Sequence, residues 1–280
     1  MAIKILTPAE IDGMRVVGKL AAETLLHVAD RLEVGMTTQD IDDLVHQHTI
    51  ASGCTPATLG YRGFPKSVCT SINEVVCHGI PDRTKLRDGD IVNVDVTSIF
   101  PAKNGFFGDT SATFYIGGVS ALARHVTEVA RWSLELGIAA VRPGARLNDI
   151  GQAIQVYAEG KGCSVVRDYT GHGIHRVFHD EPSVHHYARL GPSPKLKPGM
   201  CFTIEPMINL GDYHVDLLAD KWTVVTHDRT LSAQFEHTIV VTETGCEVLT
   251  ARPRPLRWSE DAPGARLGPL SCSGAGGSAS

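Results

Sequence analysis

The chain has 280 residues, enough for one large domain or two small ones with a sizeable core. It is 42% hydrophobic and 20% charged with a formal net charge of −5, so no basic excess points to DNA and no charge block to a polyelectrolyte partner. No apolar run reaches the length of a membrane span, and the start, Met1 to Pro8, lacks a signal-peptide core, so a cytoplasmic protein is expected.

Thr7-Pro8-Ala9-Glu10 reads as a capping box with proline at the first helical position. Apolar residues then recur at Ile11, Met14, Val17, Ala21, Leu25 and Val28, and Gly35 is expected to stop this helix. A second helix begins near Thr37 or Thr38 and ends at Gly53. A third spans about 120–141 before Pro143-Gly144, and a fourth runs from Leu147 to about Ala158. The pairs Gly35/Gly144, Asp40/Asp149, Ile41/Ile150, Gly53/Gly162 and Cys54/Cys163 are all separated by 109 positions. This ungapped offset predicts an internal duplication, a pseudo-symmetric molecule with a shared sheet between two helix pairs and a site near the pseudo-axis.

After each helix pair the period changes to that of strands. Residues 91–96 alternate, placing Asn93 and Asp95 on one face. Residues 107–116 form the expected hairpin partner, with Asp109, Ser111 and Thr113 on one face and Asn104-Gly105 in the turn. Met200–Glu205 and Gln234–Val241 alternate in the same way and place Glu205 and Glu236 on strands.

Residues 171–182 hold His172, His175 and His179, with glycine on both sides of the first. A Gly-rich segment crowded with histidine reads as the rim of a site rather than a core strand. Seven cysteines without a C-x-x-C pair suggest neither a disulfide framework nor a thiolate zinc site; most read as small buried hydrophobes. From about Arg252 the composition turns Pro-, Gly- and Ser-rich, and residues 251–280 are expected to form a disordered tail.

A carboxylate on an apolar strand is costly unless something neutralises it. One such aspartate alone is more often salt-bridged than a ligand. Four of them, Asp95, Asp109, Glu205 and Glu236, could balance two divalent cations, with a neutral imidazole completing the set. Hard oxygen donors with one imidazole suit Mn, Fe, Co or Zn without choosing among them. Two such ions can share and acidify a water, which is a hydrolase's equipment.

Residues 60–81, Gly-Tyr-Arg-Gly-Phe-Pro-Lys-Ser-Val-Cys-Thr-Ser-Ile-Asn-Glu-Val-Val-Cys-His-Gly-Ile-Pro, resemble a signature of type I methionine aminopeptidases, of the M24 metallopeptidases. So do Asn93-Val94-Asp95-Val96-Thr97, Gly108-Asp109-Thr110-Ser111, Gly171-His172-Gly173-Ile174, Thr203-Ile204-Glu205-Pro206 and Ser232–Thr238. The resemblance spans about residues 3 to 250, is closest to the short bacterial form, and implies an α+β pseudo-twofold "pita-bread" fold: an antiparallel sheet covered by two helix pairs, in one catalytic domain over 1–250.

Carried over position by position, the resemblance makes Asp95, Asp109, His172, Glu205 and Glu236 the ligands of two divalent ions, with Asp109 and Glu236 bridging. It gives His78 and His179 contacts to the substrate and makes Glu205 the proton carrier. Tyr61, Phe64, Cys69, Phe178 and Trp222 would line the methionine pocket. Asn73, Val75 and Ser232 would hold a Na or K ion. The implied activity is removal of the initiator methionine from nascent proteins whose second residue is small, by a monomer that meets the ribosome transiently.

Three positions depart from the family pattern. The segment between Asp95 and Asp109 is longer, so Phe100–Asn104 is expected to bulge outward. His175 stands where glycine is common and is expected to be peripheral. Thr58 replaces a frequent cysteine at the pocket rim. A Pro-specific aminopeptidase of the same fold is the competing enzyme; the His78 motif and the Tyr61–Cys69 stretch argue against it. A non-catalytic binding protein is disfavoured because every ligand position is filled.

Overall fold

The computed structural model describes residues 3–252 and 254. Thr7 caps α1 (Pro8–Ala29): its hydroxyl accepts the Glu10 N–H at 3.3 Å, and the Glu10 carboxylate accepts the Thr7 N–H at 2.9 Å. Met14, Val17, Ala21, Leu25 and Val28 form its buried stripe. The helix ends at Ala29, ahead of Gly35, which instead turns the chain at φ +92°. α2 (Thr38–Ala51) starts from a second capping box at Thr37 and Asp40. α3 (Ala121–Ala139) and α4 (Leu147–Gly160) form the second pair.

The strands are β1 (Thr55–Pro56), β2 (Cys69–Ile72), β3 (Val75–Cys77), β4 (Ile91–Phe100), β5 (Phe106–Tyr115), β6 (Ser164–Val165), β7 (Gly171–Gly173) and β8 (Asp180–Val184), followed by β9 (Cys201–Ile204), β10 (Met207–Asn209), β11 (Val215–Leu217), β12 (Val224–Thr226), β13 (Ser232–Gln234), β14 (His237–Val241) and β15 (Cys246–Val248). Every pairing is antiparallel. The strands fall into four hydrogen-bonded groups rather than one unbroken sheet. The two larger groups meet where Thr238 Oγ donates to the Asp109 carbonyl at 2.8 Å and the Glu236 N–H to the Ser111 carbonyl at 3.1 Å.

The 109-residue offset is visible in the backbone. Gly35 and Gly144 have φ +92° and +83°, and Gly53 and Gly162 have φ +75° and +76°, values that favour glycine. The Gly35 N–H donates to the Leu86 carbonyl at 2.8 Å, and the Gly144 N–H to the Leu196 carbonyl at 2.9 Å. Thr37 bridges to Lys85 as Arg146 bridges to Lys195. One apolar cluster joins both helix pairs to the sheets, with Leu25 and Ile41 from the first pair, Val126 and Ile150 from the second, and Val94, Phe202 and Ile204 between them.

Two local expectations fail. Glu205 and Glu236 do not lie within strands. Glu205 follows β9, and Glu236 sits in the break between β13 and β14, where the chain leaves the β10 pairing for the β9 pairing. The Gly171–Gly173 segment is no rim but a buried strand between β8 and β9. Its glycines allow close packing of neighbouring chain: a Cβ at Gly171 would lie 2.4 Å from the Thr203 carbonyl oxygen, and one at Gly173 2.1 Å from that of Glu181.

Residues at the start of the expected tail contact the body. Arg252 is docked against the body, donating to the Ser111 carbonyl at 2.9 Å, and Arg254 pairs with Asp30 at 2.5 Å. The rest of the expected tail lies outside the described residues. The six described cysteines are buried; Cys272 lies outside the described residues. Among the described residues no helix is long and apolar enough to cross a membrane.

Candidate functional site

Strand β4 carries Asp95 and strand β5 carries Asp109; the register sets Thr97 opposite Asp109 and Asp95 opposite Ser111. His172 sits in the middle of β7, fixed by its N–H donating to Thr203 Oγ at 3.0 Å. Ligand atoms of Asp109, His172 and Glu236 lie within 4.8 Å of one another, and all three residues are buried. His172 Nε2 is 3.6 Å from Asp109 Oδ2 and 3.6 Å from Glu205 Oε1. Elements distant in sequence thus bring Asp109, His172, Glu205 and Glu236 together, and Asp95 lies on the strand paired with that of Asp109.

Electrostatics describe a site built for cations. Burial first, then the charges of Asp109 and Glu205, hold the Asp95 carboxyl well above its ordinary range. Burial and the neighbouring Asp109, Glu205 and Asp95 do the same to Glu236. Glu205 is pushed up to about 7 by burial, a rise moderated by His172 and by the Thr203 hydroxyl at 2.6 Å. Burial opposes protonation of His172, but the neighbouring Asp109 and Glu205 carboxylates outweigh it and raise its pKa.

A divalent metal fits these residues. Asp95 Oδ1 and Glu236 Oε1 are buried without a hydrogen-bond partner. A buried carboxylate oxygen without a donor costs on the order of several kcal/mol when ionised. Four carboxylates converging on one imidazole supply hard oxygen and nitrogen donors and the negative charge that divalent ions neutralise.

The aromatic wall assembles beside this cluster. Tyr61 and Phe178 ring centroids are 4.8 Å apart, Phe178 and His172 6.0 Å, Phe64 and Trp222 5.1 Å. Cys69 pairs with Asp95 across β2 and β4 and is buried. His78, at φ +57°, stands edge-on to Trp222 at 6.2 Å and to Tyr169 at 5.6 Å. His179 lies 4.1 Å from the His172 ring, and its Nδ1 is 2.9 Å from the Tyr61 hydroxyl. Desolvation and the neighbouring His172 lower its pKa to about 3, so the ring is neutral near pH 7. Thr58 is buried nearby in sequence, its Oγ1 without a partner.

Asn73 and Ser232 also meet: the Ser232 N–H donates to the Asn73 carbonyl at 2.9 Å, with Asn73 at φ +53°. Val75 sits on the adjoining β3, and the Ser232 hydroxyl donates to the Ile208 carbonyl at 3.3 Å.

Several supporting residues escaped the sequence reading. The Thr97 hydroxyl donates to Asp109 Oδ1 at 2.8 Å, and Gln234 Nε2 approaches Glu205 Oε2 at 3.3 Å. The buried His186 accepts the Glu205 N–H on Nε2 at 3.1 Å. The Arg252 charge offsets part of the repulsion at Glu236. Thr97 and Gln234 were legible as same-face strand neighbours of the acids; His186 and Arg252 carry no local signal. His175, expected at the periphery, is buried and hydrogen-bonded to Asp180.

The profile described as metallopeptidase family M24 matches residues 12–243. The methionine aminopeptidase of Salmonella typhimurium is 55% identical over 254 residues, covering 90% of this chain and 95% of the relative. The crystal structure of methionine aminopeptidase from Rickettsia prowazekii superposes with a TM-score of 0.87 at 52% identity, covering 89% of this chain and all of that one. A prolidase from Pyrococcus furiosus, at 18% identity and TM-score 0.71, shares the fold, covering 89% of this chain and 66% of its own. The chain belongs to metallopeptidase family M24 and has its α+β pita-bread fold. It is a metal-dependent peptidase.

Proposed function

We propose that this protein hydrolyses the first peptide bond of chains beginning with methionine, using two divalent metal ions held by Asp95, Asp109, His172, Glu205 and Glu236. The observation that carries the reading is the convergence of buried, mutually repelling carboxylates on one imidazole beside an aromatic wall. Removal of N-terminal methionine is the activity of relatives more than half identical over nine-tenths of the chain. Residues 3–250 act as one catalytic body. The cellular substrates are nascent proteins with a small second residue, met at the ribosome by a monomer in the cytoplasm.

Bound divalent ions supply Lewis acidity that lowers the pKa of a water and polarises the scissile carbonyl. The protein's own groups do the rest. The substrate's free α-amino group faces the acidic cluster, which restricts cleavage to a chain terminus. Tyr61, Phe64, Phe178 and Trp222 surround the side chain, and ring edges favour a thioether; Cys69 closes the floor. Glu205 takes the proton of the attacking water and passes it to the leaving amine. With the Tyr61 hydroxyl donating to His179 Nδ1, that ring carries its proton on Nε2 and donates it to the carbonyl oxygen as charge develops. His78 contacts the amide on the leaving side. Asn73, Val75 and Ser232 hold a Na or K ion that steadies the wall.

Turnover of Met-Ala-Ser after chelation, with Co, Mn, Fe, Zn and Mg restored separately, tests this reading. Loss on chelation and recovery with divalent metal are expected, with no cleavage of X-Pro peptides. Cleavage of X-Pro alone would identify the Pro-specific alternative.

A further inference from the structure

Residues 174–179, between β7 and β8, have no helix or strand of their own yet carry Phe178 and His179. A segment that must hold an imidazole in reacting geometry needs contacts that fix it. Those contacts converge on His175, which the chemistry above leaves unused. Its Nδ1 accepts the Arg176 N–H at 2.7 Å and the Val177 N–H at 3.3 Å, and Nε2 lies 2.8 Å from Asp180 Oδ2. A nitrogen that accepts two amides bears no proton, so the ring proton sits on Nε2 and is donated to Asp180. In the main chain, the His175 N–H donates to the Val177 carbonyl at 3.2 Å, and the His175 carbonyl accepts the Phe107 N–H at 2.8 Å.

The imidazole therefore grips the first amides of the loop and also the residue immediately after His179. The β4–β5 hairpin is tied to the same loop. Arg176 donates to the Asn104 carbonyl, and its guanidinium lies 3.9 Å over the Phe106 ring. Phe178 stacks on Phe107 at 5.3 Å.

We propose that His175 is a positioning residue: its ring clasps the 174–180 loop shut and so aims the His179 imidazole. The clasp rests on the role given above to His179. Alanine at 175 keeps the backbone bond to Phe107 but frees the Arg176 and Val177 amides and releases Asp180.

The test is a double-mutant cycle on the metal-loaded full chain with Met-Ala-Ser, using His175→Ala, His179→Ala and the pair. His175→Ala is expected to lower kcat about tenfold or more in the native background and less than about twofold once residue 179 is alanine. Asp180→Asn, which keeps an acceptor for the Nε2 proton, should retain more turnover than Asp180→Ala. In the metal-free protein, amide hydrogen exchange at Arg176 and Val177 should accelerate in His175→Ala. Equal loss of kcat in both backgrounds, or unchanged turnover in His175→Ala while His179→Ala is impaired, would overturn the clasp. Full activity of His179→Ala would instead remove the role of His179 itself. Should His175→Ala fail to fold, Asp180→Ala enters the same cycle in its place.

Discussion

The two halves of the molecule share a frame but deliver different chemistry to the centre. The first half contributes Asp95 and Asp109 from an unbroken hairpin of two ten-residue strands. The second contributes Glu205 after one short strand, Glu236 in a break between two others, and His172 with the loop bearing Phe178 and His179. Long strands deliver side chains at a fixed spacing and orientation, so the hairpin holds its two acids at set heights. Interrupted strands let the second half turn glutamates and imidazoles into the same space. The shared frame sets where the site lies, and the strand breaks of the second half set which groups reach it.

The sharpest way to break the comparison is at Asp109. Its Oδ1 already accepts the Thr97 hydroxyl, and Oδ2 faces His172, so an amide at this position turns an N–H towards one of them. Asp109→Asn is expected to reduce turnover by about 10³-fold or more, roughly 4 kcal/mol of transition-state stabilisation. Steady-state assay and metal content check it; near-normal rates would mean that the Asp109 carboxylate is not needed to hold the metal.

His179→Ala should lower kcat by about 10²-fold while leaving metal content intact, as expected for a donor to developing charge rather than a ligand. Equal loss of metal and turnover would move His179 into the ligand set and give the second half two coordinating imidazoles.

Metal removal adds a pH signature. The folded-state pKa values of Asp95, Glu205 and Glu236 are raised. Such groups bind more protons folded than unfolded, so their contribution to stability is present at low pH and lost as pH rises through the folded values. For Glu205, raised from 4.5 to about 7, the window is pH 4.5 to 7, and its loss is on the order of 3 kcal/mol. Buried His179 and His186, lowered to about 3, act in the opposite sense over much of this range, so the signature is a difference between variants: in chelated protein, Glu205→Gln should gain melting temperature over the native chain increasingly from pH 5 to 7. A difference that does not change with pH would mean that Glu205 is not desolvated as the geometry has it.

Much of this arrangement was legible in the sequence, for identifiable reasons. Capping at Thr7, the helix start near Thr37 and the alternation around Asp95 are local patterns with local causes. The 109-residue offset carried the symmetry, because left-handed glycines recur where the backbone repeats. What escaped depends on tertiary neighbours. The buried strand at Gly171–Gly173 reads as a loop because its glycines answer to the Thr203 and Glu181 carbonyls rather than to any local turn. Alternation ran Gln234 through Val241 together because a chain that changes partner strands keeps its hydrophobic period. His175 looked peripheral because its partners, Asp180 and the following amides, are fixed only once the loop closes.

The smallest effect bears on the frame itself. Gly35 and Gly144 each turn the chain at positive φ, and a Cβ built on either meets nothing within 4 Å. Alanine at either position therefore pays only for the left-handed backbone, about 1 to 2 kcal/mol. The steric surroundings being equally open, Gly35→Ala and Gly144→Ala should destabilise equally, within about 0.5 kcal/mol, and their effects should add in the double variant. Turnover should be unchanged, since neither turn touches the cluster. Denaturant midpoints at constant m-value measure the comparison. A cost at Gly144 several times that at Gly35 would mean that the second copy is strained where the first is not. In that case the catalytic loops of the second half load the frame that carries them.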